Sequence, residues 1–346
     1  MASVGSVVVC LSELKPGMEA VCYAILSKRE TKESKNGSFY ICHFKNKRRM
    51  LKSPIYSNHS LFQEARYWEE RVAYRLECTC RNDRQYGPQL ELHAIRPIGP
   101  DDESDGYDSA LLYEWSRFDP DESFSVILKV LDKYVVDPSL NRLTRSILLD
   151  NEVAFKRMPA AENLHHPFSG GLVEHIRSVA RMAASMADHY SRYYSELNPP
   201  LNKDLIVAGA ILHDIGKIKE FEYDETGARY TPAGRLVGHI VLGRDMIRDA
   251  ARQIDGFPEE TLLLLEHVIL AHHGKPEYDS PKRPATLEAI LVHYADEIDA
   301  KMNCGVRALA GSFNDDSFTG KVFGWENSRI YRGIKPADAE PEREDV

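Results

Sequence analysis

Short hydrophobic runs alternate with polar turn clusters over residues 17–96. The runs read "MEAVCYAIL", "SFYICHF", "RVAYRLECTC" and "QLELHAIRPI", and clusters such as "SKNG" and "YGPQ" separate them. Runs of this length between turn residues are typical of strands in all-β domains. The pattern predicts a small all-β barrel within residues 1–98.

A different hydrophobic pattern begins after the acidic, turn-rich stretch "GPDDESDGYD", which we interpret as a linker over residues 99–108. Apolar residues then recur at spacings of three and four, for example in "GLVEHIRSVARMAASMADHY" and "ATLEAILVHYADEIDAKM". This spacing predicts helices over residues 109–334, while the charged residues 335–346 are predicted to be a disordered tail. The fold class is therefore multidomain α+β, a small all-β barrel followed by an all-α helical bundle.

The charge of the chain divides along the same line. Residues 1–100 hold 16 lysines and arginines against 10 aspartates and glutamates, whereas the remainder holds 28 against 43. A basic first module predicts contact with a polyanion. The acidic second module can bind one as well, provided that metal ions supply positive charge inside its site.

Cysteines and apolar segments restrict the class of protein further. The six cysteines are scattered without CxxC pairs, so we expect reduced thiols and neither a disulfide framework nor a zinc ribbon. The sequence has no run of about 18 apolar residues, and its start lacks the basic segment of a secretory signal. A soluble cytoplasmic protein is expected.

Histidines are concentrated in the helical part, which holds ten of the chain's thirteen. Several of them, together with Asp214 and Asp296, lie in or at the ends of different predicted helices, and facing helices of a bundle can direct such side chains to one metal site. Imidazole and carboxylate together suit first-row divalent ions. The candidate metal ligands are His175, His213, Asp214, His239, His272, His273 and Asp296.

The ordered series of one histidine, an "HD" pair, a further histidine, an "HH" pair and a final aspartate resembles the HD-domain metal-dependent phosphohydrolases. The resemblance implies a first metal held by His175, His213, Asp214 and Asp296. It implies a second held by Asp214, His239, His272 and His273, with Asp214 as the bridge. Manganese is the first candidate metal, with iron, cobalt, nickel, zinc or magnesium as alternatives. Asp214 and Lys217 are the candidate catalytic residues, and Lys217 would hold a phosphate oxygen as a compact point charge.

The segments "HHPFSGGLVEH", "AGAILHDIGKIKEF", "GHIVLG" and "AHHGKPEYDSPKRPATLEAILVHYADEIDAKM", with a preceding barrel, narrow the resemblance to the YhaM-type 3′-to-5′ exoribonucleases. These enzymes pair an OB-fold with an HD domain. The resemblance implies a 3′-to-5′ exonuclease on single-stranded RNA, or on DNA, that releases mononucleotides by attack of a metal-bound hydroxide.

Two other functions stay open at this point. An HD phosphohydrolase of a small or cyclic nucleotide would share the ligand series, although "HHGKPEYDSPKRP" stands where the cyclic-dinucleotide enzymes carry a Gly-Tyr-Pro segment. A nucleic-acid-binding protein with a purely structural HD domain is the other alternative, and the presence of every expected ligand argues against it.

The stretch "FYICHFKNKRRMLK" combines aromatic and basic residues, as expected where bases stack and phosphates are followed. A solvated hairpin is the alternative interpretation. The candidate partners are single-stranded RNA or DNA and a second copy of the chain. His165 and His166 are expected to line the substrate entrance, to support the metal ligands, or to lie at the surface. The candidate nucleic-acid-binding residues are Phe39, Tyr40, Phe44, Lys45, Lys47, Arg48, Arg49 and Lys52.

Overall fold

The computed structural model describes residues 8–34, 37–47, 49–84, 86–162, 164–224, 227–310 and 317–333. These residues form two compact units. The first comprises the described residues within Met1–Arg117, Phe168–Gly170 and Glu222–Arg229, and the second those within Phe118–Pro167, Gly171–Phe221 and Tyr230–Val346. The tail predicted at residues 335–346 lies outside the described residues.

The first unit contains a five-stranded sheet, as the alternating runs predict. Its strands pair in the order β1-β2-β3-β5-β4, and β1 also pairs with β4, so that each strand has two neighbours. All pairings are antiparallel except that of β3 with β5. The strands are β1 (Glu19–Ser34), β2 (Gly37–Lys45), β3 (Met50–Ile55), β4 (Ala73–Asp83) and β5 (Gly87–Pro97), accompanied by the short helices α1 (Phe62–Ala65) and α2 (Ser109–Leu112).

The core of this unit follows the two-residue period of its strands, because successive side chains of a strand point to opposite faces. In β4, for example, Leu76, Cys78 and Cys80 are buried at every second position. All six cysteines of the chain are free thiols, as the sequence predicts. The inner side chains of the sheet thus share one apolar cluster that includes Leu26, Phe44, Leu76, Leu90 and Leu92.

The acidic segment predicted as a linker is packed against the sheet. It forms a short 3-10 helix (Pro100–Glu103), and the Asp102 side chain is 1% exposed. Asp102 accepts two hydrogen bonds from Arg96, at 2.6 and 2.7 Å, and one from the Tyr23 hydroxyl at 3.2 Å. The first unit consequently extends past residue 98, because a buried carboxylate joins this segment to β1 and β5.

The second unit is helical, as the spacing of apolar residues predicts. Two short hairpins, which that spacing does not indicate, follow the helices α8 and α12, and the described residues of the first hairpin within Glu222–Arg229 belong to the first unit. The elements are α3 (Pro120–Tyr134), α4 (Pro138–Asp150), α5 (Glu152–Arg157), α6 (Gly171–Tyr193), α7 (Lys203–Leu212), α8 (Lys217–Glu220), α9 (Pro232–Leu236), α10 (His239–Ala251), α11 (Glu259–Ala271), α12 (Leu287–Ala310) and the hairpin strands β6 (Phe221–Asp224), β7 (Gly227–Tyr230), β8 (Phe318–Val322) and β9 (Ser328–Tyr331).

Side-chain caps fix where several of these helices begin. The Asp119 carboxylate accepts a hydrogen bond from the Glu122 backbone N–H at 2.8 Å, and Asp137 does the same for Leu140. In both cases proline occupies the first helical position, where its missing N–H has no cost. The two "DP" pairs in the sequence therefore mark the starts of α3 and α4.

Helix α7 lies at the centre of the bundle. Every residue from Leu205 to Leu212 is buried, and α3, α4, α6, α11 and α12 all pack against it. A helix that is apolar on all sides is stable only inside a core. Its carboxyl end therefore brings the "HD" pair into the interior of the unit. None of the helices in the described part of the chain has the length and apolarity that crossing a bilayer requires.

Candidate metal centre

Five helices bring the candidate ligands together. His175 belongs to α6 and Asp296 to α12, whereas the remaining ligands lie where α7, α10 and α11 begin or end. Glycine permits the close approach on one side: a Cβ atom on Gly216 would lie 1.9 Å from the His239 carbonyl oxygen. The backbone of the "HDIGK" turn can therefore contact the start of α10, which places His239 beside Asp214.

One group of side chains surrounds Oδ2 of Asp214. The His175 Nε2 atom lies 3.2 Å from Asp296 Oδ1 and 3.3 Å from His213 Nε2. Asp214 Oδ2 lies 3.6 Å from the first imidazole and 3.5 Å from the second. Ligands held about 2.1 Å from an ion in tetrahedral geometry are about 3.4 Å from one another. The spacing of these four donor atoms therefore fits a divalent cation.

A second group surrounds the other oxygen of the same carboxylate. His239 Nε2 lies 3.4 Å from Asp214 Oδ1, and His272 Nε2 lies 3.7 Å from it. These three buried atoms have no hydrogen-bond partner among the described residues. His273 completes the group, because the ligand nitrogens of His239, His272 and His273 lie within 4.8 Å of one another. Buried polar atoms without partners are rare, and a cation would satisfy all of them.

The imidazoles are held by hydrogen bonds at their other ring nitrogen. Nδ1 of His213 lies 2.9 Å from the Ala210 carbonyl oxygen, and Nδ1 of His272 lies 2.7 Å from that of Ile269. Such bonds fix the tautomer that presents Nε2 to a metal. The same arrangement holds at His273, whose Nδ1 lies 2.6 Å from the Tyr278 carbonyl oxygen.

Two further imidazoles are held by carboxylates that the sequence interpretation missed. Asp299 Oδ2 lies 2.7 Å from His175 Nδ1, and Glu220 Oε1 lies 3.0 Å from His239 Nδ1. The only signal in the sequence is spacing, since Asp299 follows Asp296 by three residues and shares its helical face. Carboxylate support raises the basicity of the imidazole and so strengthens it as a ligand.

Electrostatics in the centre favour positive charge. Burial opposes a charged imidazole at His213, yet the carboxylates of Asp214 and Asp296 outweigh it and raise the pKa of His213 to about 10. Burial also opposes ionisation of Asp214, but Lys217 and His213 hold its pKa well below the usual range. At His272 burial dominates and lowers the pKa, so that this imidazole is neutral and able to bind a metal.

Lys217, His165 and His166 lie next to the candidate ligands. The Lys217 ammonium is buried and lies 2.6 Å from Asp214 Oδ2. The His165 ring lies 5.1 Å from that of His175, between ring centres. His165 Nε2 is buried and has no hydrogen-bond partner among the described residues. His166 is buried as well, and its backbone N–H donates to Asn303 at 2.9 Å. Neither histidine is thus a plain surface residue.

Comparison with known proteins agrees with this geometry. Residues 172–301 match the HD domain family. The 3′-5′ exoribonuclease YhaM of Bacillus subtilis (strain 168) is 36% identical over 244 residues, which cover 70% of this chain and 73% of that protein. The chain belongs to the YhaM family of 3′-5′ exoribonucleases. The YhaM protein of Bacillus licheniformis is 36% identical over 71% of this chain and 74% of its own length, and that of Geobacillus sp. (strain WCH70) is 39% identical over 57% and 58%.

Membership of this family and the grouped histidines and aspartates together indicate a nuclease that depends on divalent metal. The order of the ligands predicts the HD domain, and the longer sequence segments with the preceding barrel predict the family; both are confirmed.

The aromatic and basic residues predicted to bind nucleic acid differ in how far their side chains are exposed on the sheet of the first unit. Phe39 and Tyr40 are half-buried, and their rings stack on Tyr56 and Phe62 with centres 5.1 and 5.2 Å apart. Lys52 is exposed. Lys45 and Lys47 are half-buried, and Arg48 lies outside the described residues.

One of those predicted contacts is wrong in this structure, and a second residue has an additional structural role. Phe44 is fully buried in the apolar cluster of the sheet, because it shares the inner face with Cys42, and its ring cannot stack on a base. The Arg49 guanidinium donates to the backbone carbonyl oxygens of Leu11 and Leu14. One nitrogen of Arg49 therefore holds the segment before β1, and a phosphate contact of this side chain stays a prediction.

A cleft of about 500 Å³ opens directly after His273 in the second unit. Its lining combines two basic side chains, an aromatic ring and one carboxylate, contributed by Gly274, Lys275, Glu277, Tyr278 and Arg283. Tyr278 is 38% exposed, and the Lys275 ammonium lies 5.5 Å from the centre of its ring. An exposed aromatic ring beside positive charge is a combination that binds nucleotides.

Proposed function

We propose that this chain is a metal-dependent 3′-to-5′ exoribonuclease that uses two divalent ions and releases mononucleotides. One observation carries the proposal: the two oxygens of the buried Asp214 face two separate groups of imidazole Nε2 atoms. A carboxylate arranged in this way suits a bridge between two cations. The exoribonuclease activity for which the YhaM relatives are named supports RNA as the substrate.

The proposed ligands divide as the sequence resemblance implies. His175, His213, Asp214 and Asp296 would hold the first ion, and Asp214, His239, His272 and His273 the second. The mixture of imidazole and carboxylate favours a first-row ion, and we propose manganese. Divalent ions in such a pair lower the pKa of a bound water and neutralise charge on the phosphoryl group.

The chain itself supplies orientation and positive charge. Asp299 and Glu220 hold the imidazoles of His175 and His239 in the orientation that presents Nε2. Lys217 is proposed to hold a phosphate oxygen, since its ammonium is already fixed beside Asp214. The cleft with Lys275, Tyr278 and Arg283 is proposed to accept the nucleotide at the 3′ end, where the aromatic ring would stack on the base.

The first unit is proposed to be an OB-like module that binds single-stranded RNA. The ring of strand pairings supports this interpretation, because OB-folds are five-stranded Greek-key barrels that bind oligonucleotides on a strand face. Phe39, Tyr40, Lys45, Lys47, Arg48, Arg49 and Lys52 remain the proposed contacts. The helical second unit, which begins at Phe118, is proposed to be the HD domain that the sequence predicts over residues 109–334. We further propose a cytoplasmic location, where RNA substrates are present.

A labelled-strand experiment tests the activity. Metal-loaded protein is incubated with RNA labelled at the 5′ or the 3′ end, with single-stranded DNA, and with cyclic dinucleotides. We expect a ladder of shortened products from the 5′ label and immediate mononucleotide release from the 3′ label. Hydrolysis of cyclic dinucleotides alone would favour the small-nucleotide alternative. RNA binding without any product would favour a structural HD domain.

A further inference from the structure

His165 lies beside the metal centre without belonging to either proposed ion site. Its ring centre lies 5.1 Å from that of His175, and the ligand atoms of His165, His175 and Asp214 lie within 4.8 Å of one another. The Nε2 atom of His165 is buried and has no hydrogen-bond partner among the described residues. Because buried polar atoms without partners are rare, a partner from outside the chain is the simplest explanation.

The backbone next to His165 has an unusual conformation. The following residue, His166, has a φ of +44°, in the left-handed region that residues other than glycine rarely adopt. Its N–H donates to Asn303 at 2.9 Å, and its carbonyl oxygen accepts from the Ala160 N–H at 3.0 Å. A Cβ atom on Gly171 would lie 2.1 Å from that oxygen. Such conformations cost energy and cluster at functional sites, which indicates that this turn serves to direct His165 to the centre.

His165 and Lys217 together offer hydrogen-bond donors beside Asp214. Burial lowers the pKa of His165 well below the usual value, and the nearby Lys217 ammonium lowers it further. The imidazole is therefore uncharged and has one N–H to donate. Of the three N–H donors of Lys217, Asp214 Oδ2 accepts one at 2.6 Å. A neutral donor and a charged donor thus lie close together at the edge of the metal centre.

A metal ion and a phosphoryl oxygen are the two partners that would satisfy His165. The first proposed ion already has four candidate ligand atoms, with separations of 3.2 to 3.6 Å between neighbours. This group has the spacing of one complete ion site without His165. The positive charge of Lys217 disfavours a further cation beside the imidazole and attracts an anion. The surroundings of His165 therefore favour the phosphoryl oxygen.

We propose that His165 is a further catalytic residue, whose Nε2–H donates a hydrogen bond to a non-bridging oxygen of the phosphate that is hydrolysed. Lys217 would hold a second oxygen of the same phosphate, so that the two donors orient it beside Asp214. This inference rests on the proposed phosphodiesterase function. It adds to that function a residue that binds the substrate and does not bind metal.

Inorganic phosphate is the probe, because it contains only the group that His165 would contact. Calorimetry on the metal-loaded full chain measures its affinity for the wild-type protein, His165→Ala and His165→Gln. We expect His165→Ala to bind phosphate about 10-fold to 100-fold more weakly and to hydrolyse RNA more slowly by a similar factor, as is typical for loss of a hydrogen bond to a charged group. His165→Gln keeps an N–H donor and should recover part of the affinity.

His189→Ala is the matched control, because it removes an exposed histidine near the other end of α6 from His175. This variant should bind phosphate and hydrolyse RNA as the wild-type protein does. Circular dichroism verifies that each variant is folded.

Metal titration and elemental analysis distinguish a phosphate contact from a metal ligand. All variants should retain the metal content and the metal affinities of the wild-type protein. Lower metal affinity in His165→Ala would make His165 a ligand and overturn the proposal. Unchanged phosphate affinity and rate in folded His165→Ala would overturn it too, as would a wild-type protein that does not bind phosphate at millimolar concentrations.

The same measurements separate this inference from the proposed function. A wild-type protein that leaves RNA intact, but loses phosphate affinity in His165→Ala, would contradict the exoribonuclease and support the phosphate contact. Hydrolysis of RNA at the wild-type rate by His165→Ala, with unchanged phosphate affinity, would have the opposite meaning.

If His165→Ala does not fold, His165→Gln is compared with His165→Asn. The glutamine amide can reach the position of Nε2, whereas the shorter asparagine amide reaches only that of Nδ1. His165→Gln should therefore bind phosphate more tightly than His165→Asn. Equal phosphate affinities of the two variants would contradict the contact through Nε2.

Discussion

Each unit of this protein buries an aspartate, and the two carboxylates have different surroundings. In the first unit Asp102 is 1% exposed, and Arg96, Tyr23 and a backbone N–H donate hydrogen bonds to its oxygens. In the second unit Asp214 is also 1% exposed, but its Oδ1 atom faces two imidazoles and has no hydrogen-bond partner among the described residues. Both carboxylate oxygens of Asp102 accept hydrogen bonds from the chain, whereas only Oδ2 of Asp214 has such a partner among the described residues.

This difference separates a structural carboxylate from a ligand. Burial of an ionised group costs several kcal/mol, which internal partners must offset. Where those partners are an arginine and a tyrosine, the result is a stable junction between chain segments. At Asp214 the Lys217 ammonium lies beside Oδ2 only, and Oδ1 faces two imidazoles without a hydrogen-bond partner among the described residues, so that a cation would satisfy it. Loss of Asp102 should therefore reduce stability, whereas loss of Asp214 should reduce metal binding and hydrolysis.

The largest effect is expected for Asp214→Ala. In the proposed two-ion centre both ions would lose their shared ligand, and because ions of this kind contribute several kcal/mol, the rate should fall by about a thousandfold or more. Elemental analysis should show reduced metal content, with the helical circular dichroism unchanged. Asp249→Ala, an exposed aspartate on α10, is the control and should retain activity. An active variant with full metal content would contradict the bridge.

Replacing the supporting carboxylates one at a time should distinguish the two proposed ion sites. Asp299→Asn should lower the affinity for the proposed ion near His175, and Glu220→Gln the affinity for the one near His239. A decrease of about 10-fold to 100-fold in each case is typical for loss of such support. Metal titration by calorimetry would measure two affinities in the wild-type protein and one altered affinity in each variant. Identical effects of both substitutions on a single ion would argue for a mononuclear centre.

The order of histidines and aspartates along the chain predicts that these seven side chains lie close together, because they lie in or at the ends of five helices, and facing helices of a bundle can direct side chains to one site. Asp299 and Glu220 were missed because a carboxylate on a helix has many ordinary uses, and only the structure shows which ring nitrogen it contacts. The position of Asp299, three residues after Asp296, was a weak signal.

Prediction was poorer in the sheet. The alternation of Cys42 and Phe44 indicates a shared inner face, and a strict two-residue count would have placed Phe44 in the core. Arg49 could not be assigned from sequence, since its carbonyl partners at Leu11 and Leu14 lie more than thirty residues earlier. The packing of Asp102 could not be predicted for a different reason: the stretch around it has the composition of a linker.

Replacement of Asp102 tests the structural side of the comparison. Hydrogen bonds from Arg96 hold the pKa of Asp102 at about 2, below the ordinary value of 3.8. Because the folded-state pKa is lowered, the ionised carboxylate stabilises the protein above pH 4, and this contribution is lost as the pH falls toward 2. Asp102→Asn should lower the free energy of unfolding by about 2 kcal/mol at pH 7.

The difference between Asp102→Asn and the wild-type protein should therefore decrease in denaturant titrations between pH 4 and pH 2. Asp101→Asn changes an exposed neighbouring aspartate and should have little effect at any pH. A loss of stability that is equal for both variants, or independent of pH, would mean that the Arg96 contact does not stabilise the first unit. Metal content should be unchanged in both.

The smallest effect is expected for the basic residues of the sheet in the first unit. If Lys47 and Lys52 contact phosphates, each contact releases counterions and contributes about 0.7 to the slope of log affinity against log salt on a single strand. Replacing both by alanine in an Asp214→Asn background should make the slope shallower by about 1.4 and weaken all RNA sequences alike. The control removes Lys28 and Lys32, whose ammonium groups both contact Glu30. If the two double variants change the slope equally, the effect is one of net charge, and the RNA path would then have to be sought at the cleft of Lys275 and Tyr278.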